Sequence, residues 1–297
     1  MSIAEAPVRV AAADPPAWRA GGAGALGMTF VGGSVAVSGT LASAPLFTAQ
    51  ALRYALACVL LVGFARLSGR PLLRPRGAEW GWLLGVAVTG LLLFNIALVH
   101  GSRHAEPAVL GVAVACVPVL MAVLGRLLEG HRPRARVLAA AGVVTAGAAL
   151  VEGTGRADTV GIAWALTVFA CEASFTLLAV PVLGRHGPHG VSVHTTWLAA
   201  GLYAGAGLVA EGPRALLTLD AGELLAVGYL AVGVTAVAFM LWYSCVRRLG
   251  ASRAGLLTGV APVAAAVIGV PVSGALPALP VWGGIGVIAA GLALGLG

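Results

Sequence analysis

Long apolar runs separated by short polar breaks dominate the chain. Ten of them approach the roughly 20 residues that an α-helix needs to cross a hydrocarbon core about 30 Å thick. They lie at about 22–42, 46–65, 80–99, 107–126, 136–152, 160–183, 190–210, 222–246, 251–273 and 279–296. The breaks hold Pro, Gly, Arg and Asp, as expected where a chain meets headgroups and water. The runs lack the alternation of barrel strands, so they read as helices that satisfy their own backbone hydrogen bonds in lipid. The pattern predicts an all-α integral membrane protein of ten transmembrane helices, the fifth being the shortest. Residues 1–21, with Pro7, Pro15, Pro16, Glu5, Arg9, Asp14 and Arg19, read as a polar N-terminal tail and not as a signal peptide.

Composition agrees with a chain dissolved in lipid. Hydrophobic residues make up 59% and charged residues only 10%, against about 25% charged in a soluble domain. The net charge of +7 is spread over short segments between apolar runs, which points to membrane topology and not to a nucleic-acid surface. There is no Lys, which excludes a P-loop with its GK[ST] and a Schiff base to retinal or pyridoxal phosphate. Cys58, Cys116, Cys171 and Cys245 each stand inside an apolar run without metal spacing and read as small buried hydrophobes. No metal or cofactor is expected.

Arginine sets the orientation. With the N-terminus cytoplasmic, the inside segments hold Arg9, Arg19, Arg66, Arg70, Arg74, Arg76, Arg126, Arg132, Arg134, Arg136, Arg185, Arg247, Arg248 and Arg253. The outside loops hold only Arg103, Arg156 and Arg214. The positive-inside rule then places both termini in the cytoplasm of a cell with a bacterial-type inner membrane.

The sequence also matches itself at an offset of 144. AGVVTAGAAL at 141–150 overlays IGVIAAGLAL at 285–294 with six identities, and Gly111, Pro118 and Val119 overlay Gly255, Pro262 and Val263. Two five-helix repeats result, 22–152 and 160–297, joined by a linker loop at 153–159. Five spans is an odd number, so the second repeat enters the membrane from the opposite side. Inverted-topology repeats of this kind are a recurring plan of secondary transporters, with the site near the midplane between halves.

The stretch 107–136, with Pro118 in mid-helix and Leu128-Glu129-Gly130 at its end, resembles the fourth span of the EamA-type transporters of the drug/metabolite transporter superfamily. Thr235-Ala236 before Trp242, Gly250-Ala251 leading to Ala261-Pro262-Val263, and the Arg53-Tyr54 pair are similar to the same family. The resemblance covers about 22–297 and implies movement of metabolites, amino acids or drugs, usually outward. It also implies a functional Glu129, whose counterpart at the same offset is Ser273 here, so paired glutamates are absent.

Charged groups inside the membrane are costly and mark candidate sites. Glu172 stands twelve residues into the sixth run, roughly 18 Å deep. It could couple transport to protons, contact a cationic group of the substrate, or serve as a protonated helix–helix contact. Arg53 lies roughly 10 Å from the outer side. It could bind a carboxylate or phosphate in two-pronged fashion, or snorkel outward. Together the two could grip a zwitterion.

Asn95, the only Asn, could bind ligand or tie two helices; Gln50, the only Gln, reads as solvated near the outer surface. Trp197, Trp242 and Tyr243 are candidates for a cavity lining, and His194 reads as hydrogen-bonded structure. Pro118 and Pro262 interrupt helical hydrogen bonding and are candidate hinges or shapers of the cavity. The GxxxG pairs Gly201/Gly205 and Gly291/Gly295 permit close helix packing and leave a homodimer open.

The expected function is secondary transport, by alternating access, of a small organic metabolite, amino-acid-like or drug-like. Export coupled to protons through Glu172 is the sharper form. A facilitative exchanger or an importer without proton coupling is the alternative. An enzyme is disfavoured by the lack of HExxH or GxSxG, and a channel would favour a ring of polar side chains from several subunits.

Overall fold

A computed structural model of the chain describes residues 17–128, 130–274 and 276–297. The fold is helical, without a strand among the described residues. Its long helices are α1 (Ala17–Gly33), α2 (Leu46–Leu67), α3 (Glu79–Gly101), α4 (Pro107–Leu128), α5 (Ala135–Glu152), α6 (Thr159–Leu177), α7 (Val180–Ala210), α8 (Ala221–Leu249), α9 (Ala251–Pro271) and α10 (Leu279–Leu296). Among the described residues eight helices, α2–α6 and α8–α10, are long and apolar enough to cross a membrane. Apolar side chains such as Leu56, Val59, Leu60 and Phe64 of α2 face outward, as a helix bathed in lipid requires. The protein is an all-α integral membrane protein.

Local chemistry explains where the helices stop and start. The first helix is described from Ala17, inside the stretch expected to be tail. Between α6 and α7 the ladder breaks at Leu178 and Ala179, because Pro181 has no N–H to give the Leu177 carbonyl. The chain reverses further on, at Gly187 with φ +64°, a conformation that favours glycine, and Pro188 restarts the helix at its first position. Gly250, at φ +78°, makes the equally tight turn from α8 to α9. Asp220 and Glu223 form a reciprocal capping box at the start of α8.

The helices stack α2 on α7, α5 on α10, α4 on α9, α3 on α6 and α1 on α8. Close approach on the α5–α10 seam is possible because Gly147, Gly284 and Gly291 lack side chains there; a Cβ on Gly147 would lie 2.7 Å from the Ile288 nitrogen. Gly295 also packs within the chain, whereas a Cβ on Gly201 or Gly205 would meet no other part of the chain within 4 Å.

Two helices widen in mid-course into π-helix, at Val86–Leu93 of α3 and Leu230–Val237 of α8. Widened turns of this type gather at functional sites. Pro118 follows a break at Cys116, and Pro262 follows a 3-10 turn at Gly255–Gly259. Each proline thus sits in the first turn of a restarted helix, where its missing N–H costs little.

The loops tie the two ends of the bundle separately. At the arginine-poor end Glu211 accepts from the backbone nitrogens of Phe47 and Thr48, both at 2.8 Å, and so caps α2. There too Asp158 caps α6 through the Gly161 nitrogen at 2.7 Å and meets the His104 ring at 2.9 Å. The Gly161 amide first, and then the His104 ring, hold its carboxyl below the usual carboxylate range. At the arginine-rich end Glu79 of α3 pairs with Arg185 and, at 3.1 Å, with His186, which fastens α3 to the stretch of α7 before Gly187.

Candidate functional site

A cavity of about 110 Å³ lies between α1, α2, α3, α6 and α8. Arg53, Asn95, Glu172 and Trp242, drawn from four helices, all line it, with Phe94, Phe175 and Phe239 in its apolar wall. A wider vestibule of about 490 Å³ shares Arg53, Phe94 and Asn95 with the cavity and extends past Gln50 to Ser102, toward the arginine-poor end. Few polar groups in a mostly apolar, concave space is the usual construction of a small-molecule site.

Arg53 stands at the junction of the two spaces. It is 8% exposed, so it does not snorkel. Its Nε–H donates to Thr235 Oγ1 at 2.8 Å, a residue inside the π segment of α8. One terminal nitrogen donates to Gln50 Oε1 at 3.2 Å, and the guanidinium lies 5.0 Å from the Tyr54 ring centre. Among the described residues no carboxylate comes within ion-pair distance of it. A guanidinium has five N–H groups in a fixed fork, so this arrangement leaves donors for an anion.

Gln50 was expected in solvent; it bonds instead to Asn95, Nε2 to Oδ1 at 3.2 Å. Asn95 in turn donates to the Leu91 carbonyl at 2.7 Å, which also takes the Tyr203 hydroxyl at 2.9 Å. Leu91 lies in the π segment of α3. The only signal in the sequence was that the sole Gln and sole Asn both occur in apolar runs.

Glu172 lines the inner cavity but not the vestibule. It makes no hydrogen bond to another described residue. Around it the walls close. Gly90 lets α3 touch α6, since a Cβ there would lie 2.8 Å from Phe175 Cα. Trp242 Nε1 donates to Thr176 Oγ1 at 2.8 Å, and the Tyr243 hydroxyl donates to the Phe175 carbonyl at 3.1 Å. Toward the arginine-rich end Leu83, Val86, Leu177 and Val182 are packed and buried.

Other expected residues lie elsewhere. Tyr243 is fully buried behind the wall and does not line the cavity. Trp197 is 42% exposed, stands edge-on to Trp80 and donates to His194 Nδ1 at 3.2 Å near the arginine-rich end. Depth along the helix had made it a candidate, but its face of α7 points away. His194 is held by the Leu73 carbonyl at 2.8 Å. Pro118 and Pro262 are not among the residues lining the cavity or its vestibule, and Glu129 lies outside the described residues. Among the described residues no three His, Cys, Asp or Glu side chains gather as a metal site.

Comparison with known proteins gives the site its setting. A crystal structure superposes with a TM-score of 0.73 over 91% of this chain and 95% of its own, at 22% identity, a likeness of fold. The chain is 28% identical over 261 residues to "Uncharacterized transporter YetK" of Bacillus subtilis (strain 168), covering 82% of this chain and 76% of that one. It is 25% identical over 214 residues to "Probable terminal-alkyne amino-acid exporter" of Streptantibioticus cattleyicolor, covering 71% of each. The EamA-like transporter family matches twice, over 21–153 and 159–296. A cavity enclosed by helices of both matched segments is what a carrier of small molecules needs, and the protein belongs to the EamA-like transporter family.

Proposed function

We propose that the protein is a ten-span secondary transporter that exports small amino-acid-like metabolites, its two halves rocking about the central cavity. The observation that carries this reading is that Arg53 and Glu172, opposite in charge and each without an ionic partner, line one aromatic-walled cavity. A zwitterion could set its carboxylate on Arg53 and its ammonium against Glu172, with its side chain among Phe94, Phe175 and Trp242. The relative named as an amino-acid exporter supports the same substrate class.

The two-halves plan is supported by helix pairing and by the π segments. Each pair in the stack joins one helix of the first half to one of the second, and α1–α8 is to one half what α6–α3 is to the other. The π segments Val86–Leu93 and Leu230–Val237 keep the offset of 144 seen in the sequence. Inverted halves, an arginine-rich cytoplasmic end and cytoplasmic termini follow as one arrangement. The cavity then opens outward in this conformation, while the Leu83–Val182 packing and the Glu79–Arg185 pair close the inner end.

In this mechanism Glu172 holds either a proton or the cationic end of the solute. Exchange between the two couples export to proton entry. The test compares internal and external metabolites of cells expressing wild type, Glu172→Gln or no transporter, and then measures flux of the exported compound in proteoliposomes under an imposed pH gradient. A compound that leaves only with the wild type, driven by the gradient, is the expected result. Equal export by the variant removes the coupling role of Glu172, and no exported compound removes the export reading.

A further inference from the structure

Arg53 is held by a chain of amide hydrogen bonds whose polarity can be worked out from its end. The Leu91 carbonyl can only accept, so Asn95, 2.7 Å away, must present its NH2 to it. Asn95 Oδ1 therefore faces Gln50 and must meet an NH2, at 3.2 Å. That turns Gln50 Oε1 toward Arg53, which can only donate, at 3.2 Å. Each amide has one orientation that satisfies both neighbours, and the sequence of donors runs without a conflict from backbone to guanidinium.

From this geometry we infer that Gln50 and Asn95 are positioning residues that hold Arg53 as a carboxylate-reading hook at the mouth of the cavity. Two independent features support it. First, the guanidinium is fixed from a second side by Thr235 and from beneath by Tyr54, so little freedom remains to be lost when an anion binds. Second, its partners Gln50 and Thr235 are both neutral, so its charge is left unspent, in a buried place where a charge is costly until paired. A glutamate at position 50 would hold the same arginine and cancel it. The solute class that fits is a small organic molecule bearing a carboxylate, which Arg53 holds at the vestibule end of the cavity while the remainder lies toward Glu172. This inference rests on the cavity being the binding site of the proposed transporter.

The test uses the full chain in lipid nanodiscs and two probes, L-phenylalanine and L-phenylalaninamide, which differ in the carboxylate alone. Wild type should bind the acid about tenfold more tightly than the amide, the margin of one charge-assisted contact. Gln50→Glu should bring the ratio close to one by neutralising Arg53, and Asn95→Leu should lower it severalfold by releasing the relay. If Gln50→Glu does not fold, Gln50→Met removes the relay without adding charge and should likewise lower the ratio. A purely structural role would shift the melting temperature and leave the ratio alone. A wild type that does not discriminate, or binds neither probe at millimolar concentration, overturns the inference, as does a ratio unchanged in Gln50→Glu. Discrimination without flux in proteoliposomes would leave the hook standing and remove the transport reading instead.

Discussion

Arg53 and Thr235 stand 182 residues apart in the chain and share a 2.8 Å hydrogen bond, Nε–H to Oγ1, at the edge of the central cavity. One belongs to α2 and the other to the π segment of α8, so the contact spans the two family-matched segments. Thr235→Val keeps the shape and removes the acceptor. A buried charged donor left without its partner costs about 1–3 kcal/mol. Substrate KM should rise between several-fold and a hundredfold while Thr235→Ser stays near wild type, as read by transport assays on protein of matched abundance.

Gly90 is where α3 touches α6 beside Glu172. Gly90→Val places atoms where Phe175 Cα and Cβ already lie. Overpacking of this kind costs about 1–3 kcal/mol. The variant should melt earlier in detergent and lose binding together with stability, and Gly90→Ala should be the milder of the two.

Glu79, with Arg185 and His186, fastens the arginine-rich end. Glu79→Gln should loosen that closure. The expected outcome is faster labelling by a membrane-impermeant thiol reagent of a cysteine placed at Val182 and added from the arginine-rich side. Labelling at the wild-type rate would mean that the apolar packing closes this end unaided.

Asp158 carries a small acid dependence of stability. Its folded carboxyl is held low by the Gly161 amide and the His104 ring. The contribution is therefore present above the unfolded value of about 3.9 and lost as pH falls through the folded one. Asp158→Asn should melt earlier than wild type at pH of about 6, and the difference should shrink as pH falls below the unfolded carboxyl value. A gap that persists in acid would assign the difference to packing and not to charge.

The sequence alone was enough to mark the apolar helices and the charges within them. Apolar runs of about 20 residues mark helices because lipid offers no hydrogen bonds to an open backbone. Glu172 and Arg53 stood out as charges within such runs, and both line the cavity. What the sequence left open was direction around the axis. Trp197 and Tyr243 were candidates for the lining, yet one faces outward and the other lies behind the wall. Gln50 read as solvated because its partner, Asn95, is 45 residues away on another helix. The two π segments were likewise hidden, since their residues are as apolar as their neighbours. Facing is decided by side-chain packing between helices, a property of pairs distant in sequence, and only the tertiary structure brings those pairs together.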